Sequence, residues 1–361
     1  VCLCSGLRIM PPLSRRTWHK LLSASLLGGW NRRPACAGTP QIDRAAVDSA
    51  IEQALACLSA RQHSEGYWET EAWGESTGIT SLAILAFLSA GYVPDEGPYG
   101  KQVSRGIRRV LSWQLPNGML IRQNLSHGPL FDHGISSFML AEICGMISGP
   151  DAAPARRALE QAIRLILTAQ SVEKPARHQG GWRYQTDSHD SDLSVTAWQM
   201  FALQAARNAG CDIPAEAMSR AVAYVQSCAD VRQHGFGYQP GNTPTPALTG
   251  AGIACLEVAG LHQARSALDA VGWLQTHPLQ ALSEYFYHGV FFTGIGLCLL
   301  GNEFARQHFQ QLTQILLPLQ RAEGDWPPRH GSEQQAGSIY STSLAVLALT
   351  SDYRYLSTGP R

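Results

Sequence analysis

The densest chemistry in the chain lies between Gln179 and Gly210, QGGWRYQTDSHDSDLSVTAWQMFALQAARNAG. His189, Asp190 and Asp192 crowd together just ahead of a strongly apolar run. A carboxyl held among other carboxylates and a histidine has a shifted proton affinity and suits general acid–base work. The same residues have an architectural use, because an Asp directly before an apolar-periodic run caps a helix. Other polar side chains stand at the starts of further apolar runs: Trp73 and Glu75, Asp132 and His133, Tyr287 and His288, and Tyr340. Helix N-termini concentrate positive partial charge, which favours carboxylates or bound anions.

Competing chemistries can be weighed on the same residues. His133, His189, Asp190 and His288 are of metal-ligating type, but their spacing fixes no ligand geometry, so neither a metal nor a cofactor is assigned. Glu75, Asp132, Asp192 and Tyr340 supply the carboxylates or tyrosine that a polysaccharide-degrading enzyme needs. The chain holds no P-loop, dinucleotide fingerprint or Gly-x-Ser-x-Gly nucleophile.

The elements that must position these residues repeat. Apolar residues Leu193, Ala197, Phe201 and Ala205 recur at helical spacing, and Trp198, Met200 and Leu203 widen the stripe until little polar face remains. After residue 40 one plan recurs: a one-sided helix ending near a Gln, a Gly/aromatic loop, then a helix apolar all round. The Gln positions are 62, 114, 170, 226, 275 and 320. The second helices are expected to start near Thr77, Asp132, Asp192, Pro246, Tyr287 and Ser338. One-sided helices belong on an outer ring and all-round apolar helices on an inner one. Short connections make each pair antiparallel, with Gly91, Gly210, Gly260 and Gly301 as helix-ending glycines. The expected fold is all-α: an α/α toroid of six helical hairpins, forming a single domain over 38–361.

Composition narrows the partners. Lys plus Arg equals Asp plus Glu at 28 each among 361 residues, so there is no electrostatic footprint for nucleic acid or an anionic membrane. Charged residues make up 16%, below the usual ~25%, which leaves much surface for helix-on-helix contact. No run is long and apolar enough for a transmembrane segment. Ser14-Arg15-Arg16-Thr17-Trp18-His19-Lys20, a short apolar stretch and a small-x-small site at Ala35-Cys36-Ala37 read as a twin-arginine export signal over 1–37. Export to the periplasm is therefore expected, and Met10 is an alternative translation start. Cys57, Cys144, Cys255 and Cys298 fall in apolar helical runs and read as buried thiols, while Cys211 and Cys228 are the one pair to watch for a disulfide.

The recurring Ala-x-x-x-Leu-x-x-Gln followed by Gly-x-Trp, best in Ala54–Trp68, Ile163–Trp182 and Leu316–Trp326, resembles the QW-type repeat of squalene–hopene cyclases and prenyltransferase β subunits. The resemblance covers roughly 45–350. It implies that Gln and Trp are structural, and that the loops before the inner helices line a central cavity: Trp73, Glu75, Asp132, His133, Tyr287, His288 and Tyr340. It also implies a place for an acid motif, Asp-x-Asp-Asp. Asp190 and Asp192 match its first two carboxylates, making Asp192 the proton donor with His189 beside it, but Leu193 stands in the third place. The Asp-x-Cys zinc pair of the prenyltransferases is absent. The leading expectation is an exported toroid that holds an isoprenoid or other apolar small molecule, or a protein partner, in its cavity. The alternatives are a terpenoid cyclase-like enzyme using Asp192 and, behind it, a polysaccharide-active toroid enzyme.

Overall fold

The computed structural model describes residues 42–356 apart from 71, 73, 123–127, 263, 302 and 354–355. The export signal read over 1–37 and Trp73 therefore lie outside the described residues. From Ile42 onward the chain forms one compact unit. Among the described residues, twelve α-helices alternate between two roles. The outer set comprises α1 (Arg44–Ala60), α3 (Gly100–Ser112), α5 (Ala152–Ser171), α7 (Ala215–Ser227), α9 (Arg265–Thr276) and α11 (Glu303–Leu316). The inner set comprises α2 (Thr77–Ser89), α4 (Pro129–Ile143), α6 (Leu193–Asn208), α8 (Pro246–Val258), α10 (Phe286–Leu300) and α12 (Ser332–Leu349).

Burial follows the sequence pattern. Helix α3 hides Val103, Ser104, Gly106, Ile107 and Val110, one stripe at helical spacing, whereas α2 is buried at every position. Each inner helix packs on the next, and α12 returns to α2, so the ring closes. The architecture is the expected α/α toroid.

Four glutamine amides stitch the ring together. Gln62 Nε2 donates to Gly66 O (2.8 Å) and to Gln102 O on the next outer helix (2.9 Å). Gln114 joins Gly118 O to Ala158 O, and Gln170 joins Gly180 O to Ala217 O. Gln320 reaches Gly324 O and Ala50 O, both at 2.8 Å, and so ties the last hairpin to the first. Gly324 takes φ 91° at that seam, and a Cβ there would stand 2.5 Å from Gln53 O, so a side chain is excluded. Gln226 and Gln275 are exposed and do not share this role.

The indoles act as pins. Nε1 of Trp68, Trp182 and Trp326 donates to Leu58 O, Ile166 O and Leu316 O at 2.7–2.8 Å, and each ring is at most 1% exposed. Their backbone N–H groups donate to Thr80, Thr196 and Thr342 on the following inner helix.

Some boundaries differ from expectation. Helix α4 begins three residues ahead of Asp132, at Pro129, because proline is preorganised for a first turn. Helix α12 begins at Ser332 rather than near Ser338 and breaks at Gly337 (φ 77°, ψ 179°), which leaves residues 332–336 as a separate first turn. A two-stranded antiparallel ribbon, β1 (Glu69–Thr70) with β2 (Gly74–Glu75), precedes α2. Cys211 and Cys228 are free thiols, as are the other four described cysteines. No helix among the described residues is long and apolar enough to cross a membrane.

Candidate functional site

A cavity of about 650 Å³ opens at the N-terminal ends of the inner helices. Its apolar wall is built by Ile79 and Leu82 of α2, Phe131 and Ile135 of α4, and Pro246, Ala247 and Leu248 of α8, with Ala336 of α12. Tyr184, Tyr238, Tyr285 and Tyr340 add aromatic surface. This volume is ordinary for a small-molecule site.

Three of the residues expected at the cavity reach it: Asp132, His288 and Tyr340. Asp132 sits on the first turn of α4 and its Oδ2 accepts the Ser76 hydroxyl at 2.8 Å. Ser76 is also the N-cap of α2, accepting from Ile79 N–H, so one hydroxyl fixes both a helix end and a cavity carboxyl. Gly78 makes room for this, since a Cβ there would lie 2.7 Å from Asp132 Oδ1. His288 is 5% exposed, and burial pushes its imidazole down to about 4, so it is neutral at physiological pH. Burial likewise raises the Tyr340 phenol well above its ordinary value.

The others belong elsewhere. Glu75 lies in a surface network with Arg122 (2.6 Å) and Arg109 (3.8 Å), which together hold its carboxyl below the usual range against the opposing effect of desolvation. His133 is fully buried and takes the place that Thr80, Thr196, Thr249 and Thr342 hold in four other hairpins. Its Nδ1 accepts Leu120 N–H at 3.0 Å and its Nε2 lies 3.1 Å from Ala162 O, a geometry that needs the neutral Nε2-protonated ring. Tyr287 is buried with its hydroxyl on Pro327 O at 2.9 Å, and it is not among the cavity-lining residues.

The His189–Asp192 loop lies beside the cavity, not in its wall. Asp192 Oδ1 caps α6, accepting from Val195 N–H at 2.9 Å and from the Ser194 hydroxyl at 2.7 Å. The residue is 0% exposed, and burial pushes its carboxyl up to about 6. Asp190 pairs with Arg183 at 3.1 Å, and Arg183 also stands 3.6 Å from Asp192. The guanidinium lies over the Tyr184 and Tyr238 rings at 5.2 and 5.4 Å, and those two hydroxyls meet at 2.7 Å. His189 is exposed, with Nδ1 3.0 Å from Glu173 O. No group of three or more metal-ligating side chains occurs among the described residues.

Sequence reasoning missed Glu333. It lies in the separate first turn of α12, is 2% exposed and lines the cavity. Its Oε1 accepts the N–H groups of Tyr287 (2.9 Å) and His288 (3.2 Å), so it caps α10 from another helix, while Oε2 is buried with no hydrogen-bond partner. Burial pushes this carboxyl up to about 7, against the pull of the α10 N–H groups. The only sequence signal was a carboxylate between two glycines, Gly331 and Gly337, both of which take positive φ (57° and 77°).

No protein-family model matches the chain, and no curated protein matches it. Solved structures do. The chain is similar to the type II terpene cyclase MstE from Scytonema, with TM-score 0.57 and 16% identity over 86% of this chain and 98% of that one. It is also similar to the GH76A α-1,6-mannanase from Salegentibacter sp. HEL1_6, with TM-score 0.62 and 9% identity over 86% of this chain and 99% of that one. A protein from Actinoplanes aligns with TM-score 0.54 at 15% identity, covering 85% and 99%. At these identities the likeness establishes the fold that the chain shares with terpene cyclases and mannanases: the α/α toroid.

Proposed function

We propose that this toroid binds an apolar small molecule of isoprenoid type in its central cavity. The observation that carries the reading is the cavity wall, in which hydrocarbon from α2, α4 and α8 meets four tyrosines around a space of about 650 Å³. Hiding apolar ligand surface against the hydrocarbon part of this wall supplies roughly 25 cal/mol per Å². The likeness to a terpene cyclase solved with geranylgeranyl dihydroxybenzoate supports the ligand class.

The alternatives draw less from the geometry. Asp192 as proton donor would have to act from a fully buried cap outside the cavity lining. A sugar could use Asp132, Glu284, Glu333, His288 and the tyrosine hydroxyls, but most of the surface it would meet is apolar. The mannanase variant described as inactive lacks two consecutive aspartates, and this chain contains no Asp-Asp pair. Export through residues 1–37 stands as a separate proposal, tested by whether that segment carries a folded reporter across the membrane in a twin-arginine-dependent way.

The test is displacement of the neutral dye Nile red by geranylgeraniol, a C20 prenyl alcohol. Saturable displacement by the wild-type chain, lost in Leu248→Trp with the fold intact, is the expected result. Displacement that ignores the cavity-filling change would overturn the proposal.

A further inference from the structure

The charges around the cavity point to the ligand's polar end. Asp132, Glu284 and Glu333 line it, and no Lys or Arg does so among the described residues. The one histidine in the lining, His288, is neutral at physiological pH. Arg183, behind Tyr184 and Tyr238, is already committed to Asp190 and Asp192. An anionic head group, whether carboxylate or phosphate, would enter without a counter-charge and would face buried carboxylates, which is among the costliest arrangements in a low-dielectric site.

The vacant valence has the opposite preference. Glu333 spends Oε1 on the first turn of α10 and leaves Oε2 buried and without a partner. A buried acceptor of this kind is costly until a donor reaches it. Tyr285 and Tyr340 share the same wall, and ring faces attract cations. We infer that the cavity selects a cationic apolar ligand, an alkyl or prenyl amine whose ammonium group pairs with Glu333 among the tyrosines. The inference rests on the ligand-binding reading above and narrows it from apolar molecules in general to amine-bearing ones.

The probes are dodecylamine, dodecanol and sodium dodecanoate, which share one chain length and differ in head-group charge. Each is titrated against Nile red on the full chain at about pH 8, where the amine is still protonated and carboxylates are ionised. Dodecylamine should bind at least about ten-fold more tightly than dodecanol, with dodecanoate weakest. In Glu333→Gln the preference for the amine over dodecanol should shrink to about three-fold or less. Glu284→Gln, at an exposed lining position, gives a second reading that does not depend on a buried substitution. It should weaken the amine modestly, and by more than it weakens the alcohol. Dodecanoate matching the amine, or an amine preference untouched by Glu333→Gln, overturns the inference. If dodecanol displaces the dye without any amine preference, only this inference fails; if none of the three displaces it, the ligand-binding reading fails as well.

Discussion

Glu333→Gln isolates the consequence of burying a carboxyl at the start of α10. Folding raises this group from its ordinary 4.5 to about 7. A carboxyl raised on folding holds its proton more tightly in the native state. Its contribution to stability is therefore full below 4.5 and is lost as pH climbs through about 7. The two values lie roughly 2.5 pH units apart, and at ~1.4 kcal/mol per unit the loss comes to ~3 kcal/mol. Gln keeps the acceptor that Tyr287 and His288 use but has no proton to lose, so its curve lacks this step. For a chain of this size, with an unfolding entropy of ~2.1 cal/mol/K per residue, ~3 kcal/mol corresponds to ~4 °C in Tm. Guanidinium and thermal unfolding of both proteins, compared from about pH 4.5 to about pH 8, give the difference directly. Asp192 titrates in the same window but is present in both proteins and cancels. The variant should gain ~3 kcal/mol relative to wild type across the window. Curves that stay parallel within ~1 kcal/mol would refute the claim that burial dominates this carboxyl.

Other expectations follow from single contacts. Gln320→Ala should destabilise the chain by ~1–3 kcal/mol in chemical denaturation, because Ala50 O and Gly324 O lose their shared donor at the ring seam. The matched change at exposed Gln226 should stay within about 0.5 kcal/mol. Gly78→Ala should cost ~1–3 kcal/mol and displace Asp132, visible in unfolding curves and as weakened ligand binding, since the new methyl would sit 2.7 Å from Asp132 Oδ1. Asp192→Asn should leave Nile red displacement unchanged, because Asn caps helices nearly as well and the residue is outside the cavity wall. A large loss of binding in that variant would return Asp192 to the site.

The ring was legible in the sequence because its two helix types differ in how many faces they hide. The run from Ser81 to Leu88 has no polar face to offer solvent, whereas Asp48 and Glu52 interrupt the stripe of α1. Gln62, Gln114, Gln170 and Gln320 share a task that spacing could suggest, yet spacing could not show that Gln226 and Gln275 lack it, because an amide on a helix end looks the same whether or not a neighbouring carbonyl faces it. The site was harder to read. Position at a helix start says nothing about which way a side chain points, so Asp132 and its neighbour His133 looked alike although one faces the cavity and the other pins backbone. Tyr184 and Tyr238 come from loops of different hairpins and meet only in the folded ring. Glu333 was hidden by the break at Gly337, which detaches its turn from the apolar run that marks α12.

The most direct measurement is native mass spectrometry of the full chain mixed with geranylgeraniol, in wild type and in Leu248→Trp. A one-to-one complex in the wild type, released on denaturation and absent from the cavity-filled variant, is the predicted result. A bare wild-type chain at saturating ligand, or a complex that persists in Leu248→Trp, would contradict the central claim that the ring is built around an apolar binding cavity.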